Sequence, residues 1–172
     1  TRNMSSAASD VYKRQVLKEL EIKVDQGFET KNYSENIDLF IIGNVVSRGN
    51  PLMEKILNNK NEYLSGPEFL YQYILKDKHV ISVSGTHGKT TTSAMISKIL
   101  MDAKVDTGYL IAGKVIGFDT SAKLGNNDFF VVESDEYDTS FFDKRSKFVH
   151  YRPSTLLINN LEFDHADIFD NL

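Results

Sequence analysis

Residues 79–95, HVISVSGTHGKTTTSAM, constrain this chain more than any other stretch. An apolar run with strand character, HVISVSG, ends at a glycine. A helical stretch, SAMISKILMDA, follows, with Met95, Ile99 and Leu100 on one side. Between them lies Gly85-Thr86-His87-Gly88-Lys89-Thr90-Thr91. The first N–H groups of a helix have no intrahelical partner and carry positive partial charge. Glycines let that backbone wrap closely around an anion. Lys89 then supplies a point charge for β- and γ-phosphates, and the Thr90 hydroxyl is placed to ligate Mg²⁺. The full pattern for such a loop has a glycine where this chain has Val83, so the match is to a shortened form. The bland reading is a glycine-rich turn holding a chance lysine; the strand–loop–helix context favours a phosphate site.

The remaining segments alternate in the same way. DLFIIG at 38–43 reads as a buried strand, and Asn50-Pro51 opens a helix with Leu52, Ile56 and Leu57 in period. Ser65-Gly66-Pro67 breaks the chain before a second helix carrying Phe69, Leu70, Tyr73 and Ile74. GYLIAGKVIG predicts a strand and a turn, LGNND a turn, and FFVVESDE and STLLINN two more strands. This predicts an α/β chain with mostly parallel strands: a partial Rossmann-like N-terminal domain over 16–75, then a truncated P-loop-type parallel-sheet unit over 76–172. Residues 1–15 are polar and aperiodic and are set aside as an artefact or disordered tail. A sheet cut short is expected to leave an uncovered edge and exposed apolar surface.

Composition narrows the function classes. The net charge of −4 gives no reason to expect nucleic acid or an anionic membrane surface as partner. There is no cysteine, hence no disulfide framework. No apolar run approaches the roughly 20 residues of a membrane helix. A cytoplasmic protein is the expectation.

Two more strand ends carry polar groups. FFVV delivers Glu133, Ser134, Asp135 and Glu136; LLINN delivers Asn159 and Asn160, then Glu162, Asp164 and His165. Ligands of open parallel sheets bind beyond the carboxyl ends of the strands, so all three polar sets could face one crevice. A carboxylate opposite the loop threonine completes a Mg²⁺ site, and His165 could add a nitrogen ligand to a second ion. The alternatives are an acidic run that is merely solvated and a histidine that is structural. Phe141, Phe142, Phe148 and Tyr151 read as packing. Lys144, Arg145 and Lys147 are either a solvated face or a contact for an anionic substrate.

Together these residues resemble the Mur ligases, the ATP-dependent amide-forming enzymes of peptidoglycan assembly. The shortened loop is that family's form, and the acidic strand end and Asn-Leu-Glu-Phe-Asp-His fall where the family has them. The insert FFDKRSKFVHYRP and the stretch GNVVSRGNP look like the branch that joins UDP-N-acetylmuramate to the tripeptide L-Ala-γ-D-Glu-meso-diaminopimelate in peptidoglycan recycling. The resemblance implies ATP and Mg²⁺ as cofactors. ATP would phosphorylate the UDP-N-acetylmuramate carboxylate, and the tripeptide amine would displace phosphate from the acyl phosphate. Carried over by position, Gly85, Thr86, His87, Gly88, Lys89, Thr90 and Thr91 cradle the nucleotide. Lys89 holds the β- and γ-phosphates; Thr90 and Glu133 bind metal; His165 sits at a second magnesium; Asn160 lines the same crevice. Asn44 and the Ser65-Gly66 turn are weaker candidates for the uridine nucleotide. Set against the family, the first domain lacks its opening strand and glycine-rich loop, the central domain stops after His165, and the third domain is absent. The chain as given is therefore expected to be catalytically incompetent. The sibling enzyme that adds L-alanine and a P-loop nucleotide-binding module are the competing readings.

Overall fold

Two of the helix starts trace to local caps. The computed structural model describes residues 14–113 and 115–162. The tail expected over 1–15 falls on 1–13, outside the described residues, whereas Arg14 and Gln15 belong to a helical segment, residues 14–19 (α1). Helix α2 (Pro51–Asn58) begins where Asn50 accepts hydrogen bonds from the Leu52 and Met53 amides, both at 3.1 Å, with proline in the first turn. Helix α3 (Gly66–Leu70) starts with a capping box. The Ser65 hydroxyl accepts from the Glu68 amide at 3.3 Å, and the Glu68 carboxylate accepts from the Ser65 amide at 2.9 Å. It runs on through a π-helical turn, Tyr71–Leu75.

Strands β1 (Phe40–Ile42) and β2 (Tyr63–Ser65) form a two-stranded parallel sheet. The larger sheet holds β3 (His79–Ser84), β4 (Gly108–Leu110), β5 (Ala122–Lys123), β6 (Phe129–Glu133) and β7 (Thr155–Ile158), in the order β5-β4-β6-β3-β7. Only the β4–β5 pairing is antiparallel among the described strands. The parallel α/β layering expected from the sequence is what the chain adopts. Strand β7 is one of the two outer strands of the described sheet, and Leu156, Leu157 and Ile158 on it are exposed.

Strand alternation sorts the core onto two faces. Phe130 and Val132 of β6 join Val80, Leu75 and Tyr151 on one face; Val131 joins Ala94, Tyr109 and Ile111 on the other. Burying a Val or Phe side chain of this kind is worth about 1.5–3 kcal/mol. Helix α4 (Lys89–Asp102) lies on the second face through Ser93, Ala94 and Ser97, all buried, with Ile96, Leu100 and Met101 partly so. Leu100 faces inward as expected, but Met95 and Ile99 are exposed. Small residues let α4 approach the sheet closely, which turns the longer 95/99 pair to the outer flank.

A third cluster, Ile42, Met53 and Ile56, sits under the small sheet. The two sheets interlock across the chain order. Leu70, Tyr71, Ile74 and Leu75, which follow β2, pack on the large sheet. Phe141 and Phe142, which follow β6, pack on the small one, with Phe142 edge-on to Tyr63 at 5.1 Å between ring centroids.

Candidate functional site

Register brings three strand ends together. Val83 lies opposite Glu133, and Ser84 lies opposite Ile158. The parallel pairing therefore delivers the loop 85–91, the acidic segment 134–136 and Asn159-Asn160 to one edge of the sheet. The ladder continues one step past the strands: the Ser134 amide donates to the Val83 carbonyl at 2.9 Å and the Asn159 amide to the Ser84 carbonyl at 3.0 Å.

The loop is built around its glycines. Gly85 has φ +122° and Gly88 φ +81°, both in the region that favours glycine. A Cβ at Gly85 would lie 2.8 Å from the Asn160 carbonyl oxygen. Asn159 and Asn160 form the floor. The His87 amide donates to Asn160 Oδ1 at 2.9 Å and the Thr86 amide to the Asn160 carbonyl at 3.3 Å. Asn159 Nδ2 donates to the His87 carbonyl at 3.2 Å and to Thr92 Oγ1 at 3.0 Å. Gly88 is the N-cap of α4 and offers no side-chain cap, so the first-turn amides of that helix are left for a ligand.

Charge is concentrated beside this opening. Lys89 Nζ donates to the Gly85 carbonyl at 2.7 Å, to Glu136 Oε2 at 3.3 Å and to the Thr86 carbonyl at 3.5 Å. Glu136 Oε1 accepts from the Gly85 amide at 2.7 Å and from Ser84 Oγ at 3.2 Å. Thr90 Oγ1 donates to Glu133 Oε1 at 3.0 Å, while Glu133 Oε2 accepts from the Ala112 amide at 3.0 Å. A hydroxyl and a carboxylate so placed are hard oxygen ligands suited to Mg²⁺. Alongside, a cavity of about 660 Å³ runs from Thr90 and Thr91 along the outer flank of α4, past Met95, Ile99, Ile116 and Phe118.

The sequence model of the Mur ligase middle domain matches residues 83–172, the half of the chain that carries every one of these groups. The chain belongs to the Mur ligase family. Over 151 residues it is 52% identical to UDP-N-acetylmuramate–L-alanyl-gamma-D-glutamyl-meso-2,6-diaminoheptandioate ligase of Escherichia coli K12, an alignment covering 88% of this chain and 33% of that protein. The crystal structure of the corresponding Neisseria ligase superposes with a TM-score of 0.85 at 48% identity, covering 90% of this chain and 51% of that one. UDP-N-acetylmuramate–L-alanine ligase of Syntrophomonas wolfei is 31% identical over 156 residues, covering 91% of this chain and 32% of that protein. This Mur ligase chain thus spans about a third of the length of the curated relatives it matches.

Of the residues singled out from sequence, this Mur ligase chain brings Gly85, Thr86, Gly88, Lys89, Thr90, Thr91, Glu133 and Asn160 to one sheet edge. Asn160 faces the loop backbone and shapes it. His87 contributes its main chain, while its ring is 70% exposed with Nε2 3.9 Å from Glu162 Oε2. Asp164 and His165 lie outside the described residues. Ser65 is committed to its capping box with Glu68, and Asn44 is exposed in the turn after β1. Glu136 and Asn159 were not singled out for their own contacts, because neither spacing nor residue type reveals which strand end a loop will fold against.

Lys144, Arg145 and Lys147 each meet a nearby acid. Lys144 pairs with Asp138 at 2.7 Å, Lys147 with Asp135 at 3.0 Å, and Arg145 with Asp143 at 2.5 Å. The Arg145 guanidinium, with help from its own amide and from His150, holds the Asp143 carboxyl at about 2 against the opposing effect of burial. Burial, with Asp135 adding, pushes the Tyr151 hydroxyl up to about 12.

Proposed function

We propose that this chain carries the nucleotide-handling site of an ATP-dependent ligase that joins UDP-N-acetylmuramate to L-Ala-γ-D-Glu-meso-diaminopimelate. The observation that carries the reading is the meeting of Lys89, the Thr90–Glu133 pair and the uncapped start of α4 at one sheet edge. The residues fit Mg-ATP. The loop backbone turns at two positive-φ glycines, the first-turn amides of α4 have no side-chain cap, and the oxygen pair on Thr90 and Glu133 is already 3.0 Å apart.

In this reading the amides of residues 85–91 and Lys89 hold the β- and γ-phosphates, and Thr90 and Glu133 hold the metal. His165 enters by family position alone, at a second magnesium. Asn160 acts through the loop it anchors. Mg²⁺ supplies charge neutralisation at the phosphates. A carboxylate oxygen of UDP-N-acetylmuramate attacks the γ-phosphorus and ADP leaves. The tripeptide amine then attacks the acyl carbon, loses a proton, and phosphate departs with the original carboxylate oxygen. Lys89 and the loop contribute by position and by fixed positive charge. Residues 76–172 form the ATP-binding unit, and residues 16–75 contribute to the uridine-nucleotide side. The small sheet places the turns at Gly43-Asn44 and Ser65-Gly66 at one edge, because Ile42 pairs with Ser65. The setting is the cytoplasm, where both nucleotides are found; no described helix is long and apolar enough to cross a membrane.

The tripeptide is favoured over L-alanine by the 52% identity to the tripeptide-adding relative against 31% to the alanine-adding one. Phosphate release by a full-length ligase carrying this chain, measured with each amine, tests this. Turnover with the tripeptide and none with L-alanine is expected; the reverse would overturn the assignment. Labelling the UDP-N-acetylmuramate carboxylate with ¹⁸O should place one label in the released phosphate, and its absence would exclude the acyl phosphate route.

A further inference from the structure

The Lys89 ammonium has three N–H groups, and three protein oxygens surround it. They are the Gly85 carbonyl at 2.7 Å, Glu136 Oε2 at 3.3 Å and the Thr86 carbonyl at 3.5 Å. A phosphate oxygen can reach this ammonium only if one of the three is given up. The Gly85 contact is short and local. The other two are long, and of those only Glu136 carries charge.

We propose that Glu136 is a positioning residue that stores the Lys89 ammonium in the free loop and is exchanged for phosphate oxygens when a polyphosphate enters. The proposal rests on the phosphate-loop reading above and adds to it a competitor for the loop lysine. Both side chains are mostly out of water, with Lys89 16% and Glu136 20% exposed, so their attraction is screened less than that of a surface pair. An arriving polyphosphate sets negative charge against that carboxylate in the same low-dielectric environment, which drives the two apart. Glu136 can let go of Lys89 without being orphaned. Its other oxygen stays bound by the Gly85 amide at 2.7 Å and by Ser84 Oγ at 3.2 Å. The neighbouring acids do not take up the same role: Glu133 is held by Thr90 and the Ala112 amide, and Asp135 pairs with Lys147. Among the described residues, Glu136 is thus the carboxylate that meets the loop lysine.

The experiment is calorimetric titration of the full chain with magnesium pyrophosphate, a probe that reads the loop without base contacts. Glu136→Gln keeps the acceptor for Gly85 and Ser84 and removes the charge, so it should tighten binding by about three- to tenfold, the scale of a partly buried ion pair. Glu136→Asp draws the charge back by one methylene and should tighten binding by a smaller factor, which keeps the proposal open to refutation if the Gln variant does not fold. Lys89→Ala should weaken binding, and Glu136→Gln should gain less in the Lys89→Ala background. Unchanged or weaker binding in a folded Glu136 variant would overturn the storage role and make Glu136 a plain brace. An equal gain in the Lys89→Ala background would also overturn it, because Glu136 would then act on the ligand directly. Wild-type affinity in Lys89→Ala, or no pyrophosphate binding by any variant, would instead sink the phosphate-loop reading itself, and the proposal with it.

Discussion

Thr90 Oγ1 and Glu133 Oε1 are 3.0 Å apart although 43 residues separate them in the chain. The first is fixed by the opening turn of α4, the second by the last residue of β6 and its partner, the Ala112 amide. Both are held by regular secondary structure rather than by a loop tip, which fixes the spacing of the two oxygens.

Removing the acid should therefore change metal demand before anything else. In a full-length ligase carrying this chain, Glu133→Ala is expected to raise the Mg²⁺ concentration for half-maximal ATP turnover by about tenfold or more, the scale at which groups around a bound metal act. The measurement is a Mg²⁺ titration at saturating ATP. An unshifted midpoint would leave Glu133 as a solvated acid.

Lys89 carries the fixed positive charge of the loop. In the same full-length ligase, Lys89→Ala should slow turnover by about a hundred- to thousandfold, on the order of 3 kcal/mol, as for other preorganised electrostatic groups. Steady-state kinetics under saturating substrates reads this directly, and a loss confined to KM would point to ground-state binding alone.

Gly85 is constrained twice, by φ +122° and by the Asn160 carbonyl 2.8 Å from where a Cβ would stand. Gly85→Ala should cost about 1–3 kcal/mol of stability, the scale of stored backbone strain. Gly43→Ala, where nothing lies within 4 Å and φ is not left-handed, should stay within about 0.5 kcal/mol. Urea midpoints of the two variants give the comparison, and equal midpoints would refute the loop's tightness.

Asp143 titrates at about 2 in the folded chain against an ordinary value of 3.8, chiefly through Arg145. A depressed carboxyl stabilises the fold above its unfolded pKa and loses that contribution as pH falls through the folded value. The Arg145–Asp143 contribution should thus be complete above about pH 4 and fade toward about pH 2. Thermal midpoints of the wild type and Asp143→Asn should differ near neutrality and converge at the acid end. A constant gap would show that the carboxylate's charge is not what matters.

Much of this could be read before any coordinates. The strand–loop–helix at 79–102 follows from an apolar run, two glycines and a helical period, all local signals. So do the starts of α2 and α3, which Asn50-Pro51 and Ser65-Gly66-Pro67 mark as breaks, although the caps themselves came from the structure. The inward face of α4 was less legible. Hydropathy pointed to Met95, Ile99 and Leu100; Leu100 does pack inward, but Met95 and Ile99 do not, and the fully buried positions are the small residues Ser93, Ala94 and Ser97. The short antiparallel β5 gave no signal, being two residues held by pairing with β4.

What the sequence by itself determined was the chemistry on offer: a loop able to cradle an anion, and acids and amides at the ends of two strands. These depend on residue type and on conformational preferences that act within a few positions. What only the tertiary structure decided was partnership. Strand register set Glu133 against Thr90, folded Glu136 onto Lys89 and placed Asn159 and Asn160 beneath the loop. It also turned Lys144 onto Asp138, Lys147 onto Asp135, and Phe141 and Phe142 onto the smaller sheet. Such pairings join residues far apart in the chain, and they are chosen by the packing of the whole core, which no local stretch encodes.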